Sequence, residues 1–247
     1  MQKEIYDNTV KIQEKNWWYK TRRDIITDLL RDEFPAGQNR RVLSVGCGVG
    51  WEMKFISRYG EAYGIDPSPT AIEYCKEAGI SKNLFVSGAE KLQFEDTFFD
   101  AVFILDVLEH VERDEAALTE IYRVLKPGGI LVLTVPAFPL LWTKSDVRAH
   151  HFRRYTRSSL KQEIEKSGFR IKRLSYFNMI LLPLIGGIKL LTRFYEPAFV
   201  EGKEVSQPNP VVNWMLYHIF KLEVSWLARF NLPLGISLLA IARKETK

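Results

Sequence analysis

The chain has 247 residues, with 35 lysines and arginines against 30 aspartates and glutamates, and 46% of its residues are apolar. This composition excludes a disordered chain, and the length fits one large α/β domain. Two cysteines are too few for a disulfide framework or a cysteine-rich zinc site. The longest apolar stretch, 179–188, falls short of the roughly 20 residues needed to span a membrane. With no apolar signal segment at its start, we expect a cytoplasmic protein.

Helical and strand patterns alternate along most of the chain. The spacing of apolar residues predicts helices over 3–34, 71–78, 115–125, 156–166, 180–194 and 211–230. Short apolar runs predict strands at 41–45, 61–65, 84–86, 99–105, 130–135, 169–177 and 235–242. Such alternation indicates a mostly parallel sheet covered by helices on both faces.

We therefore expect one domain with two additions to its sheet. Residues 1–38 would form an N-terminal helical cap, and residues 39–178 together with 234–247 would form the core sheet. Residues 179–233 form too long a connection for a compact domain and are expected to be a helical insertion.

The strongest motif is the run VLSVGCGVG at 42–50, followed by Asp66 at the end of the next strand. A strand that runs into closely spaced glycines and then a helix lets a ligand approach the backbone. An acidic residue 20 positions after Gly46 suits a bidentate bond to two ribose hydroxyls. The third glycine comes one residue too early for G-x-G-x-x-G, which favours S-adenosylmethionine over a dinucleotide.

The chain resembles the class I S-adenosylmethionine-dependent methyltransferases, in their small-molecule branch. The resemblance rests on 42–50, YGIDPSPTAIEYCKE at 63–77, GAEKLQFEDTFFDAVFILDVLEHV at 88–111 and LKPGGILVLTVP at 125–136. It implies a Rossmann-like sheet of seven strands whose last strand is antiparallel. It also implies S-adenosylmethionine as the cofactor, with S-adenosylhomocysteine as the product.

The resemblance also assigns the cofactor-binding residues. They are Ser44, Gly46, Cys47, Gly48, Gly50, Asp66, Pro67, Ala89, Glu90, Leu105 and Asp106. The chain departs from the family at Ser44 and Gly88, where acidic residues are usual. These departures keep open the alternative of an inactive cofactor-binding or membrane-docking module.

Candidate catalytic residues follow the fifth strand, in the segment 146–156. His150, His151 and Tyr155 are candidate bases for deprotonating an acceptor. Arg153 and Arg154 are candidates for holding an anion such as a phosphate. No metal site is expected, because two adjacent histidines lack further ligands. The aromatic and basic run 16–23 could cover the cofactor through Tyr19 or Arg23.

The uneven distribution of basic and apolar residues indicates what kind of acceptor and partner the protein binds. Residues 144–173 hold ten basic and three acidic residues, a net charge of +7 that leaves −2 for the rest of the chain. We expect a small-molecule, lipid-linked or saccharide-linked acceptor that can be anionic, rather than a nucleic acid. The insertion 179–233 is apolar with basic and aromatic borders, which predicts contact with the inner face of a membrane or with a second subunit. An RNA methyltransferase is the alternative, although no Asn/Asp-Pro-Pro-aromatic turn follows strand four.

Overall fold

The computed structural model describes residues 10, 12–37, 39–80, 82–194 and 209–246, without the side chains of 191–194. The first residues of the predicted N-terminal helix and most of the predicted link at 197–210 lie outside the described residues. The division of the chain into cap, core and insertion stays a prediction.

A seven-stranded sheet forms the centre of the molecule. In chain order its strands are β1 (Arg41–Val45), β2 (Glu61–Asp66), β3 (Leu84–Val86), β4 (Phe99–Leu105), β5 (Leu125–Pro136), β6 (Phe169–Phe177) and β7 (Ser237–Lys244). Their order across the sheet is β3-β2-β1-β4-β5-β7-β6, and β7 runs antiparallel to both of its neighbours. The predicted fold, with its antiparallel last strand, is confirmed.

The described helices largely follow the predicted positions. They are α1 (Trp17–Leu30), α2 (Trp51–Ile56), α3 (Pro69–Glu77), α4 (Asp114–Val124), α5 (Lys144–Arg148), α6 (Arg157–Lys166), α7 (Leu182–Phe194) and α8 (Pro210–Arg229). Thr156 caps α6 as predicted, because its hydroxyl accepts from the amide of Ser159. Consecutive residues of β4 such as Phe103 and Ile104, which point to opposite faces of the sheet, are fully buried, so both faces are covered.

Two predicted boundaries differ from the structure. A continuous helix over 3–34 was predicted, but α1 begins at Trp17 because the Asn16 side chain caps it by accepting from the amide of Trp18. The predicted fifth strand began at Ile130, whereas β5 begins at Leu125 and includes Lys126-Pro127-Gly128-Gly129. The pairing with β4 shifts register across this segment, so it forms an irregularity within the strand rather than a loop before it.

Helix α8, in the predicted insertion, packs against the N-terminal helix α1. Trp18 stacks on both Phe177 and Phe220, with ring centroids 5.6 and 5.7 Å away. The amide of Trp17 donates to the Asn213 side chain over 2.9 Å. These contacts bring α1, β6 and α8 together above one edge of the sheet. None of the described helices is long and apolar enough to cross a membrane.

Candidate active site

A cavity of about 900 Å³ lies at the carboxyl ends of the parallel strands β1, β2 and β4. This volume is at the upper end of the range for ligand pockets in proteins. Open α/β sheets bind ligands at this edge because the strand ends leave a crevice between loops. The helices α1 and α7 contribute residues to its wall, so the predicted cap and insertion both help to enclose it.

The glycine loop between β1 and α2 forms one wall. The amides of Gly46 and Cys47 both donate to the carbonyl of Ile65, and the amide of Gly48 donates to Asp66 Oδ2 over 3.0 Å. These three amides are therefore engaged within the protein. A pyrophosphate site needs free amides, so the loop fits a ligand that has no phosphates at this position.

The loop glycines have separate roles. A side chain at Gly46 would meet Val107, and one at Gly50 would meet Ile80, so both allow close packing. Gly48 has a φ of +52°, and a Cβ added there would meet no atom within 4 Å. Because Gly48 lines the cavity, that open space is part of the cavity.

Asp66 lies at the end of β2 with its carboxylate facing the loop. Its Oδ1 accepts from the amide of Ser68 over 2.9 Å, while Oδ2 accepts from Gly48. Burial raises the pKa of Asp66, and the two backbone hydrogen bonds oppose this effect. Each oxygen has a second lone pair, so the carboxylate can also accept from two neighbouring ligand hydroxyls.

A buried ion-pair cluster forms another part of the cavity wall. Arg22 of α1 is 2% exposed and donates to Glu52 of α2 and to Asp106 after β4. The two carboxylates raise the pKa of Arg22 against the effect of burial, so its charge is fixed. Two carboxylates against one guanidinium leave this wall with a net negative charge, which favours a cationic ligand.

Several polar atoms around the cavity are buried without a partner among the described residues. They are Arg22 Nε, Glu52 Oε2, Glu109 Oε2 and both side-chain polar atoms of Asn178. A buried polar atom without a partner costs about 1–3 kcal/mol. These unpaired polar atoms lie within residues that line the cavity.

Two histidines also line the cavity. His110 follows β4 and His151 follows α5, with ring centroids 4.6 Å apart. Asp146 Oδ1 lies 3.0 Å from His151 Nδ1 and also accepts from Arg154. Burial raises the pKa of Asp146, but the bonds from His151 and Arg154 outweigh it and hold the pKa below its usual range. An ionised Asp146 fixes a proton on His151 Nδ1 and leaves Nε2 as the free ring nitrogen.

The structure separates the three predicted bases. His151 lines the cavity, whereas His150 and Tyr155 do not. His150 is exposed on a left-handed turn with a φ of +58°. Tyr155 is 2% exposed, and its hydroxyl donates to Asp114 over 2.8 Å. Burial and the Asp114 carboxylate raise the pKa of Tyr155, so it is poorly suited to accept a proton as phenolate.

The predicted anion-binding arginines have internal partners. Arg153 pairs with Asp114 over 2.6 Å, and Arg154 pairs with Asp146 over 2.7 Å. Both positive charges are compensated within the protein, so this segment offers less to an acceptor phosphate than its sequence indicates.

The predicted cofactor residues fall into two groups. Those lining the cavity are Gly46, Cys47, Gly48, Asp66, Pro67, Leu105 and Asp106. Ser44, Gly50, Ala89 and Glu90 lie outside its lining. Ser44 is buried within β1, Gly50 caps α2, and Glu90 accepts from Arg113. Their contact with the cofactor stays a prediction.

Sequence reasoning missed the cluster around Arg22. The sequence indicates that the run 16–23 could cover the cofactor through Tyr19 or Arg23. Tyr19 lines the cavity. Arg23 instead donates to the backbone carbonyls of Gln13 and Glu14. Arg22 is a buried residue of that run, one turn from Trp18 on the same helix. A helical projection would have placed both residues on the buried face, although nothing local identifies Glu52 and Asp106 as partners.

Comparisons with known proteins agree with this site. Residues 43–133 match the family model of a methyltransferase domain. A sterol 24-C-methyltransferase of Neurospora crassa is 37% identical over 37% of this chain and 26% of its own length. A mitochondrial ubiquinone biosynthesis O-methyltransferase of Schizosaccharomyces pombe is 30% identical over 51% of this chain and 53% of its own. The chain thus matches about a quarter to a half of these relatives.

A solved structure shows the same fold. The SAM-dependent methyltransferase of Archaeoglobus fulgidus superposes with a TM-score of 0.55 at 22% identity, over 91% of this chain and 96% of that one. The match of residues 43–133 to a methyltransferase domain, together with the strand order and the cavity at the carboxyl edge, supports a class I S-adenosylmethionine-dependent methyltransferase.

Replacing Gly48 by alanine tests whether the open space beside the loop belongs to the ligand. Gly79 is a matched control, since it also has a positive φ (+82°) and no atom within 4 Å of an added Cβ, but it does not line the cavity. Both G48A and G79A should lose about 1–2 kcal/mol of unfolding free energy from left-handed strain. Only G48A should weaken S-adenosylhomocysteine binding at least tenfold in calorimetric titration. Equal affinities in the two variants would contradict the assignment.

Proposed function

We propose that the protein transfers a methyl group from S-adenosylmethionine to a hydroxyl of a small, largely apolar and uncharged acceptor. The observation that carries this proposal is the position of His151, which lines the cavity with its Nδ1 3.0 Å from Asp146 Oδ1. Trp17 and Trp18 line the same cavity and give it apolar surface.

Other residues of the cavity wall would accommodate the cofactor. Asp66 would bind the ribose hydroxyls, and the bare backbone at Gly48 would allow close approach. When bound, S-adenosylmethionine supplies a methyl group on a positively charged sulfur. The net negative wall formed by Arg22, Glu52 and Asp106 favours that charge. The predicted contacts of Pro67 and Leu105 are supported by their place in the cavity lining.

The acceptor would enter between the aromatic residues of α1 and the histidines. Trp17 and Trp18 line one side of the cavity, and Ile185 of α7 and Ile236 before β7 add further apolar surface. His110 and His151 lie on the polar side. A ligand with an apolar body and one reactive polar group fits such a lining.

His151 would act as the base. Asp146 orients its ring through Nδ1, which leaves Nε2 to accept the proton of an acceptor hydroxyl as the oxygen bonds to the methyl carbon. Methyl transfer is an in-line displacement, so the larger contribution comes from alignment and exclusion of water, which can supply on the order of 7–11 kcal/mol. The O-methyltransferase name of the S. pombe relative supports oxygen as the acceptor atom.

An uncharged acceptor is supported by the internal pairing of the basic segment. Arg153 and Arg154 pair with aspartates, and Arg173 donates to the carbonyl of Leu227. These arginines therefore do not form an open basic stripe, which also disfavours the RNA methyltransferase alternative. The sterol-methyltransferase relative supports an apolar acceptor.

We also propose that α7 and α8 rest on a lipid surface, at the inner face of the cytoplasmic membrane. The exposed apolar side chains of these helices include Leu184, Ile188, Val211, Trp214, Met215, Leu222 and Trp226. On α8 they are joined by Lys221 and Arg229, which suit an anionic interface. Because Ile185 of α7 lines the cavity, an apolar acceptor could enter from the lipid.

Replacement of His151 by alanine should reduce the methylation rate by about 10²–10⁴-fold, the usual contribution of a general base. The assay uses radiolabelled S-adenosylmethionine with a panel of apolar phenols and long-chain alcohols, each with and without a phosphate group. S-adenosylhomocysteine affinity should stay unchanged, because His151 is not among the residues proposed to bind the cofactor.

The control is H150N, since an exposed asparagine tolerates the left-handed turn of His150. H150N should keep the parent rate. Full activity in H151A would contradict the role of the base, and methylation of the phosphorylated compounds alone would contradict an uncharged acceptor.

Lipid contact is tested by sedimentation with vesicles of equal parts phosphatidylcholine and phosphatidylglycerol. The double variant W214E/W226E should lose most of its vesicle binding, because it places two charges at the proposed interface. V86E is the control, since Val86 is 46% exposed in the edge strand β3 at the opposite side of the sheet. Binding that survives in the double variant would contradict the proposal, as would a stable dimer in ultracentrifugation that the same substitutions dissociate.

A further inference from the structure

Three metal-ligating side chains meet at the cavity wall. Glu109 and His110 lie in the single helical turn Leu108–His110 after β4, and His151 lies in the loop after α5. One potential ligand atom from each residue lies within 4.8 Å of the other two. All three residues line the cavity. We propose that Glu109, His110 and His151 form a binding site for a divalent first-row transition-metal ion such as Zn²⁺, Mn²⁺ or Fe²⁺.

Glu109 supplies an independent observation that points to a cation. It is 2% exposed, and its Oε2 has no hydrogen-bond partner among the described residues. The nearby guanidinium of Arg22 is engaged with Glu52 and Asp106, and that of Arg154 with Asp146. A buried carboxylate with an unpartnered oxygen is costly unless a proton or a cation joins it.

The surroundings of His151 match those of metal-bound histidines. A ligating imidazole usually donates its other ring nitrogen to a carboxylate, which fixes the ring and increases its basicity. Asp146 takes this place at Nδ1 of His151. Asp146 is itself held by the amide and hydroxyl of Thr143, at 2.9 and 3.0 Å, and by Arg154. The ring is therefore oriented by a rigid, ionised group, with Nε2 free to bind a metal.

The ligand set determines which ions fit. Two imidazoles and one carboxylate suit borderline transition metals, whereas Mg²⁺ and Ca²⁺ prefer oxygen ligands alone. Ligand atoms around such an ion are roughly 3–4 Å apart, given bond lengths of about 2.1 Å. The three ligand atoms lie within 4.8 Å of one another, and rotation of the exposed His110 side chain can shorten the distances between them. Three protein ligands leave coordination positions open toward the cavity.

The use of this ion rests on the proposed function, although its binding does not. An acceptor hydroxyl next to a divalent cation loses its proton more readily, which makes its oxygen a better nucleophile toward the methyl group. In that arrangement His151 serves as a ligand, and the proton passes to solvent. In the metal-bound protein the cation, instead of His151, therefore promotes loss of the hydroxyl proton.

The test is metal binding to the full chain after removal of metals with a chelator. Titration with Zn²⁺ and with Co²⁺ should show one equivalent bound, with Mg²⁺ binding at least 100-fold weaker. The Co²⁺ absorption spectrum should lack a sulfur-to-cobalt charge-transfer band, which excludes Cys47 and Cys75 as the ligands. E109Q and H151A should each weaken Zn²⁺ binding at least tenfold. H150N should bind like the parent protein.

The readouts separate this proposal from the proposed function. S-adenosylhomocysteine titration of E109Q shows whether the variant is folded and its cofactor site intact. Specific Zn²⁺ binding without methylation of any acceptor would support the metal site and contradict the proposed function. Methylation that persists under chelation and requires His151 would overturn the metal proposal and leave the base in place. Zn²⁺ affinity that is equal in E109Q, H151A and the parent would also overturn it.

Discussion

The buried guanidinium of Arg22 connects the parts of the molecule that enclose the cavity. It belongs to α1 and pairs with Glu52 at the start of α2 and with Asp106 after β4. Burying these charges is costly, and removal of one partner from such a pair typically costs 3–5 kcal/mol. The position of α1 over the sheet edge therefore depends on this cluster. Because α8 packs on α1, the insertion depends on it as well.

The same cluster gives part of the cavity a charged lining. Near Arg22 the walls are charged, because Glu52 and Asp106 pair with its guanidinium. Ile185 of α7 and Ile236 before β7 add apolar surface to the same lining. A lining that combines charged and apolar surface suits the proposed pair of a zwitterionic cofactor and an apolar acceptor.

Local sequence patterns predicted the parts of the site that depend on neighbouring residues. The glycine loop and Asp66 form through the connections of β1 and β2, so their spacing in the chain carries their geometry. The antiparallel β7 came only from the family resemblance, since a strand's direction is set by its connection rather than by its own residues.

Long-range pairing explains what could not be predicted. Arg22 lies 30 residues from Glu52 and 84 from Asp106, and no periodicity links them. Arg153 and Tyr155 both appeared suited to the acceptor because Asp114, 41 residues from Tyr155, was not recognised as their partner. Glu109 and His151 come together for the same reason, through a contact between two loops at the sheet edge. Charged residues in a sequence thus show which chemistry is available, while the fold decides which charges remain free.

The most direct measurement is a calorimetric titration of the intact protein and of D66A with S-adenosylhomocysteine. The account predicts one site of micromolar affinity in the parent protein, weakened roughly 10- to 150-fold in D66A, as expected for loss of about 1.5–3 kcal/mol from charged hydrogen bonds. A folded protein that does not bind S-adenosylhomocysteine, or a D66A variant that binds it as tightly as the parent, would contradict the account.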